Sequence, residues 1–234
     1  TITAFNLAEQ YQCPVILMTD LQLSLGKQSA ELLDYDQIQI DRGKLVHHPE
    51  PLKPGELFER FAITEDGISP RVLPGTEHGL THVTGVEHDS MGRPSESAEN
   101  RKQMMDKRMR KLQDVRIKEA LRIDAPHEQP DLLIIGMGST AGTIEEARGR
   151  LADRDNVKTN QIMVRQLHPF PTEQLLPHMR QAKRIVVVEN NATAQLAHLI
   201  VQHAGGRDQI RSILKYDGTP FLPSEIYAKC KELI

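Results

Sequence analysis

What this 234-residue chain lacks narrows its possibilities first. It has no tryptophan, aromatic residues make up 4% of it, and its two cysteines stand alone at positions 13 and 230. Cysteines so placed supply neither a disulfide framework nor a thiolate metal site, and they fit a reducing, cytoplasmic setting. No apolar run approaches the roughly 20 residues that cross a bilayer, so membrane insertion is not expected. Basic excess is missing as well: a net charge of −3 and a pI near 6.4 argue against a general nucleic-acid binder. A polar leader is also absent. Thr1 opens straight into TITAFNLAEQY, a helix in progress, which predicts a fragment of a longer polypeptide. The length allows one large domain or two small ones, and two are expected.

Ile2, Phe5, Leu7 and Ala8 recur at near-helical spacing, and Cys13-Pro14 ends that helix because proline disfavours the α conformation in the residue before it. VILMT, residues 15–19, is apolar on both faces and predicts a buried parallel strand closed by Asp20. A lone helix and strand cannot bury both faces of such a strand, so the pair predicts the tail of a larger sheet domain. Asp20 reads as a cap or turn former ahead of a ligand at a strand end. From Leu33 to Thr84 prolines and glycines interrupt every short apolar group, predicting a long irregular crossover kept in order by residues such as Leu45, Phe58 and Phe61. His78 and His82 are four apart, but Gly79 between them weakens a helix, and surface or turn histidines are the favoured reading over a metal pair.

The stretch 85–112, GVEHDSMGRPSESAENRKQMMDKRMRKL, joins an acidic, histidine-bearing turn to a long helix. Ser95 or Ser97 can cap that helix, and Glu96 and Glu99 suit its positive end. Met105, Met109 and Leu112 predict its buried stripe, continued by Val115 or Arg116 and Ala120. Nine Lys and Arg against three acids between Arg101 and Arg122 give a local charge of about +6, fit either for a solvated face or for an acidic partner or phosphates. Aromatics do not interleave with these cations, so single-stranded nucleic acid is poorly supported.

The remainder alternates strand and helix. DAPHEQP, residues 124–130, reads as a linker. Buried strands are predicted at 131–135, 162–167 and 184–190, with a last one at 210–214 and a closing helix from Ser224, together a small parallel α/β sheet with right-handed crossovers. The first strand runs into GMGSTAG, residues 136–142, a possible anion cradle at a helix start. It lacks a Walker lysine and the acid of a dinucleotide fingerprint, so a tight turn without ligand is an equal reading. The third ends in the polar group Glu189, Asn190, Asn191 and Thr193. Candidate binding residues at these strand ends are Gly138, Ser139 and Asn190.

Five blocks occur in order over nearly the whole chain: AFNLAEQYQCPVILMTD, ISPRVLPG, TGVEHDSMGRPSESAENRKQMMDKRMRKL, DLLIIGMGST and VVVENNATAQLA. Together they resemble the C-terminal part of the α subunit of 2-oxoacid:ferredoxin oxidoreductases, close to the 2-oxoglutarate type of bacteria. The resemblance implies an enzyme that holds thiamine diphosphate and Mg between subunits and decarboxylates a 2-oxoacid oxidatively. Electrons would pass through an iron–sulfur cluster to ferredoxin and the acyl group to coenzyme A. It also implies residues 1–33 as the tail of a pyrimidine-binding thiamine domain, 34–125 as an irregular crossover and basic helix, and 126–234 as a domain resembling the transketolase C-terminal domain. The family's YPITP-type substrate motif, its activating glutamate and the arginine near its GPSTG motif would all lie before Thr1, and the cluster cysteines and diphosphate metal site would belong to the β subunit. The segment is therefore expected to carry no catalytic or metal-binding residue, to bind no cofactor alone and to be inert without its partner. Two other readings are a stand-alone phosphate-binding module built on the GMGST turn, and transketolase-like carbonyl transfer, which lacks the EHD and basic-helix blocks.

Overall fold

In the computed structural model every residue except 114, 116 and 118 is described. The chain forms two compact units, Thr1–Met18 with Ser29–Val115, and Thr19–Gln28 with Arg116–Ile234. Helices α1 (Ile2–Tyr11), α2 (Leu21–Leu25) and α3 (Ala98–Lys111) precede the sheet; α1 and α3 belong to the first unit and α2 to the second. No helix among the described residues is long and apolar enough to cross a membrane.

The second unit is a five-stranded sheet in the order β1-β3-β2-β4-β5. Its strands are β1 (Leu121–Asp124), β2 (Leu132–Gly136), β3 (Thr159–Val164), β4 (Ile185–Glu189) and β5 (Ile210–Leu214), and β2, β3, β4 and β5 run parallel. The runs LLII and IVVV are apolar without alternation because both faces are covered. Leu133, Ile135, Ile185 and Val187 point to α5 (Thr172–Gln181) and α6 (Gln195–Ala204). Leu132, Ile134, Val186 and Val188 point to the other face, which packs on α4 (Thr140–Asp155) and α7 (Pro223–Glu232). The α/β sheet expected for this half of the chain is thus present, as a helix–sheet–helix sandwich.

One strand was not foreseen. Residues 121–124, read from sequence as the end of a helix and the start of a linker, form β1 and pair antiparallel with β3, Leu121 opposite Val164. Only Leu121 of its four residues is buried, so no periodicity announces the strand. Arg148 of α4 fixes this edge: its buried guanidinium donates to Asp124 at 2.5 Å, to Gln161 at 3.2 Å and to the carbonyl of Thr159 at 3.0 Å.

In the first unit α1 lies where its spacing predicts, but the following strand does not form. Residues 15–19 join no ladder, and Ile16 and Leu17 are 84% and 64% exposed. A strand exists only through a neighbour's backbone hydrogen bonds, and the described residues offer none of these to this segment. The crossover is irregular as expected, apart from a single 3₁₀ turn at Tyr35–Gln37. Backbone bonds hold it in place, including Val46 N–H to the Arg71 carbonyl at 2.8 Å and Phe61 N–H to the Ser90 carbonyl at 2.9 Å. His78 and His82 are not on a helix: His78 sits in a turn at φ 57°, and His82 Nδ1 is 2.6 Å from the Gly92 carbonyl.

Candidate functional site

The sheet order places a switch point between β2 and β4. These strands are adjacent and parallel, with Ile135 opposite Val187, yet β2 leads to β3 on one side and β4 to β5 on the other. Connections leaving in opposite directions open a crevice beyond the carboxyl ends of the two strands, where open α/β sheets bind ligands. Gly138 and Ser139 follow β2 and Asn190 follows β4, so all three sequence candidates fall at this edge.

The turn after β2 is already filled from within the chain. Ser139 N–H donates to Asp20 Oδ2 at 2.8 Å, while Asp20 Oδ1 accepts from Leu23 N–H at 2.9 Å and so caps α2. Burial alone would raise the Asp20 pKa, but the N–H groups of Leu23 and Ser139 outweigh it and hold the carboxyl below its usual value. Gly138 has φ 60°, and a Cβ there would lie 2.6 Å from Asp20 Oδ2, so this position needs glycine for both conformation and approach. An anion does sit at the start of α4, as the physics of helix termini favours, but it is a side chain of this protein. That occupancy counts against a stand-alone phosphate module using this turn.

The edge after β4 follows the same rule. Glu189 is 2% exposed and accepts from Leu196 N–H at 2.6 Å, Ala197 N–H at 3.1 Å and Asn191 Nδ2 at 2.8 Å. Asn191 Oδ1 in turn accepts from Thr193 and Gln195 N–H at 3.0 and 3.3 Å, and Ala194 is held at φ 51° just before α6. Asn190 is exposed and makes no side-chain hydrogen bond among the described residues. The polar cluster was legible in the sequence, whereas its division of labour was not: Glu189 and Asn191 build the turn and Asn190 is left to face outward.

The stretch 85–112 forms one stapled body in the first unit. Ser97, one of the two expected caps, accepts from Asn100 N–H at 3.3 Å. Glu87 receives Arg108 through two bonds of 2.7 and 2.9 Å and also pairs with Arg101. Those arginines hold its carboxyl well below the usual range. Asn100 Nδ2 donates to the His88 carbonyl at 2.9 Å. The first part of the expected apolar stripe is wrong, with Met105 37% and Met109 66% exposed and Met104 and Lys107 the buried side chains of α3, whereas Leu112 is half-buried and Val115 and Ala120 of its continuation are buried. The face turned inward is therefore Met104-Lys107-Arg108-Lys111, and it carries charge because each cation finds a partner: Lys107 Nζ donates to the Phe61 carbonyl at 2.8 Å and Lys111 Nζ to the Gln12 carbonyl at 3.2 Å. Of the residues counted in the +6 patch and the stripe's continuation, 114, 116 and 118 lie outside the described residues.

Comparison with known proteins agrees with this architecture. Residues 130–226 match the family model of the pyruvate:ferredoxin oxidoreductase core domain II. Subunit alpha of 2-oxoacid:ferredoxin oxidoreductase 1 from Sulfurisphaera tokodaii is 35% identical over 96% of this chain and 35% of its own length. The 2-oxoglutarate synthase subunit KorA of Methanothermobacter thermautotrophicus is 28% identical over 97% of this chain and 58% of its own. The 2-oxoglutarate:ferredoxin oxidoreductase of Magnetococcus marinus, solved with 2-oxoglutarate, coenzyme A and succinyl-CoA bound, superposes with a TM-score of 0.83 at 29% identity, covering 97% of this chain and 38% of that one. The chain spans about a third of the length of the first of these relatives.

Proposed function

We propose that this chain, whose residues 130–226 match the family model of the pyruvate:ferredoxin oxidoreductase core domain II and which is similar over nearly its whole length to 2-oxoacid:ferredoxin oxidoreductase α subunits, works as one segment of such a subunit. The assembled enzyme would convert a 2-oxoacid, 2-oxoglutarate in this reading, with coenzyme A to acyl-CoA and CO2 and deliver the electrons to ferredoxin in the cytoplasm. The observation that carries the proposal is the match along 97% of the chain to the Magnetococcus marinus enzyme. In this reading 1–33 is the tail of a thiamine-binding domain, 34–125 the crossover and basic helix, and 126–234 the transketolase-like domain. The switch-point edge, with Gly138, Ser139 and exposed Asn190, would wall the cofactor cleft.

The segment's own residues do not fit the cofactors. Asp20 occupies the glycine turn after β2. Among the described residues no three His, Cys, Asp or Glu gather for a metal. Only two cysteines exist for an iron–sulfur cluster that takes four, and Cys230 is buried with its thiol pushed up to about 12. No catalytic step is assigned to this segment; its role is to support and wall a site completed by a β subunit and by other parts of the α subunit. The test is 2-oxoglutarate-dependent reduction of an electron acceptor. No turnover is expected from the chain alone, and association is expected with a β subunit. Turnover by the isolated chain, or failure to join any β subunit, would overturn the reading.

A further inference from the structure

The inward face of α3 borders a partly open cavity of about 150 Å³ in the first unit, lined by Arg60, Lys107, Arg108 and Lys111 together with Phe61 and His88. On the measure by which one water needs about 10–15 Å³, this space admits a group much larger than a single water. Four cations without any carboxylate among the lining residues is an unusual charge balance for a half-open space. Arg108 is answered by Glu87. The other three are not: Lys107 and Lys111 each donate to one carbonyl and have further N–H groups left. The guanidinium of Arg60 makes no hydrogen bond or ion pair among the described residues, only an approach of 5.3 Å to the ring of Phe61. Ser69 and Gln12 also line the space; the Ser69 hydroxyl donates to the Ala62 carbonyl and Gln12 Nε2 gives one of its two N–H groups to the Ser69 carbonyl, so most of the free donors come from the cations.

We propose that this cavity is a binding site for a phosphoryl group, either free phosphate or the phosphate of a larger ligand, held by Arg60, Lys107 and Lys111. A tetrahedral dianion matches the arrangement because it accepts from several directions at once and returns close to the charge the wall lacks, whereas a lone carboxylate would leave most of it unanswered. Burial and the neighbouring cations Lys111, Arg60, Arg108 and Arg110 push the Lys107 amine down to about 8. An anion in the cavity removes that strain and draws a proton onto the amine. The inference is independent of the oxidoreductase reading, since it concerns the first unit alone.

Calorimetry of the 234-residue chain with inorganic phosphate at pH 8 and low salt tests it. One saturable site is expected, with proton uptake seen as a heat that depends on the buffer. Arg60→Met is expected to weaken binding at least tenfold, and it should not disturb folding because that guanidinium supports no hydrogen bond. Lys102→Met, on the exposed side of α3, should leave affinity unchanged. Protection of Lys107 from acetylation by phosphate, read by mass spectrometry, gives a second measurement that does not depend on variants. Coenzyme A and its analogue without the ribose phosphate separate the two sources: tighter binding of the first alone assigns the site to a phosphate monoester ligand, and equal or weaker binding assigns it to free phosphate. Absence of saturable binding by any of the three, an unchanged affinity in Arg60→Met, or protection of Lys107 only by an acidic partner protein overturns the proposal.

Discussion

The two units of this chain are held together by different forces. In the second, Leu132, Leu133, Ile134 and Ile135 are fully buried between two helical layers, and charged groups mostly trim the edges. In the first, the only buried hydrophobic side chains among the described residues are Met104 and Val115. Cohesion there comes from polar staples: Glu87 with Arg101 and Arg108, Glu9 with Arg42 and Arg71, and lysine amines on backbone carbonyls. Apolar burial is nearly indifferent to salt and pH, whereas ion pairs near the surface are screened and titrate. The second unit should therefore respond to cavities and the first to solution conditions.

The largest effect is expected from Leu133→Ala, which empties a space at the centre of the sheet and should destabilise the second unit by about 2–5 kcal/mol. Chemical denaturation followed by a probe in that unit measures it, and the loss should be the same at low and high salt. A loss below about 1 kcal/mol would mean the sheet is not the source of its stability. Next comes Glu189→Ala. It strips the N–H groups of Leu196 and Ala197 of a buried acceptor, for about 1–3 kcal/mol, and thermal melts should shift to match. Asp20→Ala should lose about 1 kcal/mol as an ordinary cap. It has a second use, because it frees the N–H of Ser139. If phosphate then restores the lost melting temperature, the turn after β2 is an anion cradle that the chain fills for itself; if it does not, the turn is purely structural.

What could be read from the sequence follows the same divide. LLII, IVVV and the helical spacing of Ile144, Ala147 and Leu151 announce β2, β4 and α4, because burial on both faces of a sheet writes itself as uninterrupted apolar runs. The switch-point edge was legible too, since Gly138 and the polar group after Glu189 fall where strands end. Asp20 reaching Ser139 was not, because nothing local marks a partner 119 residues away. In α3 the apolar stripe Met105-Met109 misled, since the buried face is decided by where Lys107 and Lys111 find carbonyls, and hydrophobicity does not record that. VILMT reads as a strand by composition, but pairing is a property of neighbours, and none is supplied by the described residues.

The smallest expected effect is a pH dependence confined to the first unit. Lys107 falls from 10.5 to about 8, through burial first and then the cations Lys111, Arg60, Arg108 and Arg110; His88 also faces the cavity, and Cys13 lies near Lys111. Between these two values the unfolded chain holds the proton that the folded chain releases, so stability should rise as pH climbs from about 8 to 10.5. At the acid end Glu87, depressed by Arg108 and Arg101, supports the fold above its ordinary 4.5, and that support should drain away as pH falls below it. Solvent in the half-open cavity moderates the alkaline slope. Lys107→Met should flatten it while leaving the acid limb intact, and Glu87→Gln should do the reverse. Hydrogen exchange at amides of α3, followed against pH, separates the limbs from the second unit. If both units moved together with pH, the division between a charge-held and an apolar body would fail.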